Sequence, residues 1–357
     1  MTMSKPRGLY IHIPFCLTKC PYCDFYSVAY SRSTVSEYAR AVMRNLSRSA
    51  RHEESFDTVY FGGGTPILAA EHIGQILSCV NLTDGAEITV EANPCLCLPE
   101  TLEALRESGV NRLSIGVQSL DEGELSSLGR RHSAAQAEKA VLAAARAGFD
   151  DISADIMLAV PRQTRASLSR TIARLAELPL THISAYLLKI EPSTPFGVSP
   201  PETPDEDETA ELYLRAVSEL TAHGFEQYEI SNFAKKGFES RHNLKYWRRD
   251  EYLGIGAAAH SFCGGKRFAV PRDAGAFIAA EEQPTEITDG APDETQERIM
   301  LGLRLAEGIP AELWKPREKR LRFIPREYYE IKDGRLALTP RGFLLSNEII
   351  AILTEDD

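Results

Sequence analysis

Residues 9–27 read LYIHIPFCLTKCPYCDFYS. A run of β-branched and aromatic residues gives way directly to three cysteines, Cys16, Cys20 and Cys23, at positions i, i+4 and i+7. The run predicts a strand and the cysteines a loop at its C-terminal end. Three thiols within eight residues are too dense for packing alone and suit one compact soft-metal centre. They are one ligand short of the four that structural zinc or a fully ligated iron–sulfur cluster takes. Two centres fit that shortfall: a 4Fe–4S cluster with one iron left open, or a zinc site completed by a distant His or Cys.

The strand repeats along the chain. Similar runs occur at 58–61 (TVYF), 87–92 (EITVEA), 112–117 (RLSIGV), 152–157 (ISADIM) and 182–188 (HISAYLL). Between them lie stretches of helical period, such as 101–109, 133–148 with Ser133 as its cap, and 208–224. This alternation predicts successive β–α units on a parallel sheet. The runs read as apolar on both faces, so covering helices are expected. Six strands are fewer than a closed barrel needs, and the expected fold is an α/β partial (β/α)6 barrel with a smaller, mostly helical C-terminal domain. The expected divisions are a core over 1–235, the RHNLKYW element and a connector over 236–290, and the helical unit over 291–357.

Composition narrows the function classes. The chain has 357 residues, 43% hydrophobic and 25% charged, which excludes a disordered or fibrous protein. Forty basic against 51 acidic residues leave a net charge of −11, a balance that disfavours nucleic acid as a partner. No apolar run reaches the length of a membrane span, and MTMSKPRGLY lacks the apolar middle of a signal peptide. A cytoplasmic location is expected, and with it reduced thiols. Of the other four cysteines, Cys95 and Cys97 read as packing or incidental thiols.

The spacing Cys-x3-Cys-x2-Cys after a first strand resembles the signature of the radical S-adenosylmethionine superfamily. The surrounding sequence resembles the branch that holds the oxygen-independent coproporphyrinogen III oxidases and the HemW haem chaperones. The likeness continues through YFGGGTP (60–66), EANP (91–94), RLSIGVQSLDEGELSSLGRRH (112–132), DIMLAVPRQT (155–164), YEISNFA (228–234), RHNLKYW (241–247) and YLGIGAAAHSF (252–262). It implies a 4Fe–4S cluster on Cys16, Cys20 and Cys23 whose open iron chelates S-adenosylmethionine. It further implies that Gly63, Gly64 and Thr65 contact the methionine moiety. Glu91, Gln118, Arg130 and Asp155 fall at ligand-binding positions, and Tyr10 and Tyr22 at further contacts. The residue types suit these roles. Glycines let the backbone approach a ligand, carboxylates hold ribose hydroxyls or an ammonium, and an Arg takes a carboxylate bidentately.

Three features separate the two members of the branch. Phe25 stands where the oxidases carry a further cysteine. Cys16 comes early, where the oxidases have a longer preceding segment. His242, Asn243, Tyr246 and Trp247 match the HNxxYW element of the chaperones. The resemblance therefore implies a haem-binding protein that passes haem to acceptor proteins, with coproporphyrinogen oxidase activity as the alternative. Tyr246 and Trp247 offer flat faces for a porphyrin, and His242 an imidazole for its iron. His260 is a second axial-ligand candidate. The basic stretch 315–326 is a candidate surface for haem propionates or a partner, and a peripheral membrane partner stays compatible with the sequence.

Overall fold

In the computed structural model, which describes residues 6–49 and 55–355, six parallel strands form the frame. They are β1 (Arg7–Ile13), β2 (Phe56–Gly63), β3 (Leu82–Ala92), β4 (Arg112–Gln118), β5 (Asp151–Leu158) and β6 (His182–Leu187). They lie side by side in chain order. Helices α1 (Arg32–Ser49), α2 (Ala70–Leu77), α3 (Pro99–Glu107), α4 (Ala134–Arg146) and α5 (Arg165–Ala176) make the crossovers. Helix α6 (Glu206–Ala222) follows β6. Every strand expected from the sequence is present. Ser133 caps α4 in a full capping box: its hydroxyl accepts from the Gln136 N–H, and the Gln136 side chain accepts from the Ser133 N–H.

The strand faces differ from the expectation. They are not apolar on both sides but alternate. Leu9, Ile11, Val59, Phe61, Ile88, Val90, Leu113, Ile115, Ile152, Ala154 and Ile183 are buried in the core beneath the helices. The intervening positions are polar or aromatic and meet one another inside the curved sheet: Tyr60 with Glu91, Ser114 with Asp155, Ser153 with His182. Side chains alternate across a strand, so one run serves two environments. The barrel interior is where polar chemistry is housed.

The sheet continues beyond these six strands at both edges. At one edge the short strand β8 (Asn232–Ala234) pairs antiparallel with β6, and β7 (Glu226–Gln227) pairs antiparallel with β8. On the other edge β9 (Tyr252–Ile255) pairs parallel with β1. Then β10 (His260–Cys263), β11 (Lys266–Ala269) and β12 (Glu286–Asp289) continue antiparallel, giving twelve strands in one sheet. Four of the sheet's strands therefore lie within residues 236–290. Gln283 is buried and bridges the Gly256 N–H and the Gly254 carbonyl. The unit from 291 contains α8 (Glu294–Gly302), the hairpin β13 (Tyr329–Lys332) and β14 (Arg335–Leu338), and helices α9 (Pro340–Leu344) and α10 (Ser346–Thr354). The hairpin was not expected. Among the described residues no helix is long and apolar enough to cross a membrane.

Candidate functional site

Parallel strands place their C-terminal ends at one rim of a barrel, where loops converge on a cavity. Here that cavity is about 580 Å³ and is lined by Cys16, Cys20, Tyr22, Cys23, Gly63, Gly64, Thr65, Glu91, Gln118, Arg130 and Asp155. These come from four strands and three loops, so residues up to 139 positions apart in sequence share one space. They include every expected cluster and S-adenosylmethionine residue except Tyr10.

The cysteine loop is closed at its base by a two-residue parallel ladder, Phe15–Cys16 against Val28–Ala29. Within it the Cys23 N–H donates to the Cys20 carbonyl at 3.1 Å. All three cysteines are half-buried free thiols. Cys16 Sγ lies 3.5 Å from Thr65 Oγ1, and Arg130 Nη1 lies 3.5 Å from Cys20 Sγ. The loop is therefore tied on one side to the Gly-rich turn and on the other to a guanidinium.

The Gly-rich turn needs its glycines. Gly63 has φ +117, and a Cβ there would come within 2.6 Å of the His12 ring. A Cβ on Gly64 would come within 2.7 Å of the Phe15 carbonyl oxygen. Only residues without a side chain let this backbone pass between β1 and the cavity. Gln118, at the end of β4, has φ +68 and follows a register irregularity, which turns its side chain to the cavity.

Two acids face the cavity from β3 and β5, with β4 between them. Glu91 accepts from the Tyr60 hydroxyl at 3.0 Å and from the Gly63 N–H at 3.1 Å. Burial, with Asp155 nearby, pushes its carboxyl up to about 7. Asp155 accepts from the Ser114 hydroxyl at 3.0 Å, and burial raises it as well. Arg130 donates through Nη2 to the Gly116 carbonyl at 2.8 Å, while its Nε is buried without a hydrogen-bond partner. An orphaned guanidinium N–H beside two acids and three thiols is the donor set for a zwitterionic ligand next to a thiolate-bound cluster. Thiolates suit iron–sulfur clusters, so the residues present fit both cofactors.

Sequence reasoning missed several lining residues, among them Tyr60, Asn93, Ser114 and Tyr186. Period-two alternation was the available signal: Thr58, Tyr60 and Gly62 share one face of β2 with Glu87, Thr89 and Glu91 on β3. Tyr10 sits below the cavity. Its hydroxyl bonds His12 Nδ1 at 3.0 Å and its ring stacks on Tyr60 at 6.3 Å. It supports the lining rather than forming it.

The haem candidates lie elsewhere. Helix α7 (Arg241–Trp247) plugs the other end of the barrel, beside the starts of β1 and β2. Glu87 accepts the Arg241 and His242 N–H groups at 2.9 and 3.0 Å, and Ser240 caps the helix. Lys245 pairs with Asp57 at 2.8 Å. His242 is fully buried, with Nδ1 on Thr58 Oγ1 at 2.8 Å, Nε2 on the Tyr246 hydroxyl at 2.7 Å, and its ring stacked on Tyr60 at 5.2 Å. Burial, aided by Lys245, lowers its pKa to about 3. Both ring nitrogens are thus engaged inside the protein. Tyr246 packs edge-on against Tyr252, and Trp247 is half-buried beside Arg304. His260 is exposed at the start of β10 and is not among the residues lining the cavity. Cys97 is buried, as a packing thiol should be, but Cys95 is exposed and lines a smaller cavity of about 200 Å³ with Cys20 and Arg130.

Comparison with known proteins accords with this geometry. Residues 10–175 match the family model of the radical SAM superfamily. The chain is 33% identical to the haem chaperone HemW of Haemophilus influenzae over the whole of both chains. It is 36% identical to that of Escherichia coli, over 87% of this chain and 85% of the relative. Among solved structures, the coproporphyrinogen III oxidase HemN of Escherichia coli, a radical SAM enzyme, superposes with a TM-score of 0.82 at 20% identity, covering 98% of this chain and 90% of that one. The last likeness bears on the fold alone.

Proposed function

The chain belongs to the HemW haem-chaperone family of radical S-adenosylmethionine proteins, and on that premise we propose that it binds haem and passes it to acceptor proteins, with a 4Fe–4S cluster and S-adenosylmethionine held at the barrel mouth. The observation that carries the cofactor half of this reading is the convergence of the three thiols, the Gly-rich turn, Glu91, Asp155 and Arg130 on one cavity.

Cys16, Cys20 and Cys23 would hold the cluster. Gly63, Gly64 and Thr65 line the cavity beside Cys16 and would bound the ligand's methionine end. Arg130 supplies a positive charge to its carboxylate, and Glu91 and Asp155 supply acceptors to its ammonium or hydroxyls. Such a cluster with a bound sulfonium supplies one-electron chemistry, and the protein contributes position and a shielded space. Glu91, fixed by Tyr60 and Gly63, presents a set geometry rather than a mobile side chain. The haem-trafficking half rests on membership of the family and on Phe25, which stands at the oxidases' extra cysteine.

The test is an anaerobic haem-transfer assay with the reconstituted full-length chain. Haem binding followed by transfer to a haem-free acceptor, modulated by S-adenosylmethionine, is the expected result. Turnover of coproporphyrinogen III to protoporphyrinogen by the same preparation would replace chaperone with oxidase.

A further inference from the structure

One buried carboxylate takes no part in the site described above. Glu124 is fully buried in the short helix Glu122–Ser127, between β4 and α4, and is not among the residues lining the cavity. Resting on the S-adenosylmethionine reading above, we propose that Glu124 is a positioning residue for that ligand: it fixes Gln118 and Arg130 relative to Asp155 without touching the ligand itself.

Three neutral donors converge on Glu124, each from a different segment. The Ser119 hydroxyl donates at 2.7 Å, the Gln163 amide at 3.1 Å, and the Ser167 hydroxyl to the other carboxylate oxygen. A buried carboxylate is costly unless it is fully hydrogen-bonded, and meeting that demand fixes the three segments against one another.

The first segment is the turn after β4. The Ser119 N–H donates to the Val117 carbonyl at 2.9 Å across Gln118, whose φ is +68. A three-residue turn with a positive central φ is rare and strained for a residue with a side chain. Ser119 holds it from outside, since its hydroxyl donates to Glu124 and accepts the Asp121 N–H at 3.0 Å. The second segment follows β5, the strand of Asp155. Ala159 and Arg162 there have φ +56 and +68. Gln163 accepts the Ala159 N–H at 2.7 Å and donates to the Met157 carbonyl at 3.0 Å, so the amide that meets Glu124 also pins this loop. The third is the start of α5, where Ser167 completes a capping box with Thr164.

Among the described residues six other than glycine have positive φ, and three of them lie on the two segments that Glu124 joins. Strained backbone persists only where its surroundings over-determine it, and it gathers at ligand clamps. Both segments reach the cavity, through Gln118 on one side and Asp155 and Met157 on the other. Arg130 comes three residues after the helix that carries Glu124, with its N–H on the Leu125 carbonyl at 2.9 Å, and the Ser127 hydroxyl at the end of that helix lies 3.1 Å from the Pro161 carbonyl oxygen. One carboxylate thus sets the spacing of three side chains that face the ligand. Groups behind a site act in this way, by locking the residues that make the contacts.

The experiment measures S-adenosylmethionine affinity by equilibrium dialysis against the anaerobically reconstituted full chain. Iron and sulfide content and the urea midpoint are recorded for each variant. Glu124→Leu keeps the bulk and removes the acceptors, and about tenfold weaker binding at unchanged iron content is expected. Glu124→Gln keeps an oxygen for Ser119 and Gln163 and turns its amide N–H to the Ser167 oxygen, so affinity within about threefold of wild type is expected. Leu353→Ala, buried in α10, is the stability control: it lowers the urea midpoint and leaves affinity unchanged. Added to Arg130→Ala, Glu124→Leu should weaken binding by no more than about a further threefold, because the two act on one contact. Where Glu124→Leu does not fold, Ser119→Ala decides, with about threefold weaker binding expected. Wild-type affinity in the deciding variant overturns the assignment and leaves Glu124 a packing residue. Equal losses in Glu124→Leu and Leu353→Ala also overturn it, as does a Glu124→Gln as weak as Glu124→Leu, or a full additional loss in the Arg130→Ala background. A wild-type chain that carries the cluster and binds no S-adenosylmethionine overturns the cofactor reading itself.

Discussion

The two ends of the barrel were read from equally suggestive motifs and came out opposite. At the strands' C-terminal end, thiols, glycines and acids from distant segments open onto one cavity. At the other end, an equally chemistry-bearing set of His, Tyr and Trp folds inward. There His242 satisfies Thr58 and Tyr246, and Glu87 caps the helix that carries it. The two ends are nevertheless joined. Tyr60 stacks on His242 below and donates to Glu91 above. A residue type announces what a side chain is able to do. Its unsatisfied hydrogen-bonding capacity decides whether it is available to a ligand. Arg130 has a spare N–H; His242 has no spare nitrogen.

The largest expected effect lies at the mouth. Cys20→Ser removes a cluster ligand, and iron and sulfide content after anaerobic reconstitution should fall close to zero, with loss of the broad absorption near ~400 nm that thiolate-ligated clusters give. Retention of a full complement of iron would assign the cluster to other ligands.

The next largest lies at the floor. His242→Ala removes a stacked ring and leaves the Thr58 and Tyr246 hydroxyls unpaired in the interior. Urea unfolding should show a loss of about 3 kcal/mol. The haem-binding spectrum of the folded fraction should match wild type. A variant of native stability with an altered spectrum would return His242 to the haem site and erase the contrast between the two ends.

The ends should also respond oppositely to pH. Glu91, near 7 in the fold against about 4.5 when unfolded, keeps a proton that the unfolded chain has lost. Its contribution to stability is full below pH 4.5 and falls as pH rises through 7. His242, near 3 in the fold against 6.5 unfolded, lacks a proton that the unfolded chain binds. Its contribution is full above pH 6.5 and is lost as pH falls toward 3. Relative to wild type, Glu91→Gln should therefore gain stability between pH 4.5 and 7. The deficit of His242→Ala should widen between pH 4.5 and 6.5. Each change is about 2 kcal/mol. Unfolding curves across that range that moved in parallel would remove the electrostatic distinction.

The smallest effect is expected at Cys95. It is exposed beside Cys20 yet lies outside the three-thiol spacing. Cys95→Ser should leave the iron stoichiometry unchanged, and a drop by one quarter or more would make it a participant.

Much of this was readable beforehand. The β-branched runs located all six parallel strands, because a covered parallel strand demands a concentrated apolar pattern. Ser133 and its Gln136 partner marked the start of α4 through local hydrogen bonding alone. The strands β9–β12 escaped notice for the converse reason. They are four residues each, too short to show a clear period, and pairing with β1 and with one another creates them. The hairpin β13–β14, just past the basic stretch 315–326, is built of equally short strands. Tyr60 was missed because the runs were read as apolar throughout rather than split by face.

The amino-acid sequence by itself determined the β–α rhythm, the three-thiol loop after the first strand and the Gly-rich turn after the second, since these depend on spacing and local backbone chemistry. Only the tertiary structure decided which polar groups are free. Whether a His, Tyr or Arg has a spare donor depends on neighbours brought from across the sheet, and no spacing along the chain records them. That is why Glu91 and Arg130 belong to an open cavity, Phe25 to its rim, and His242 to the closed floor.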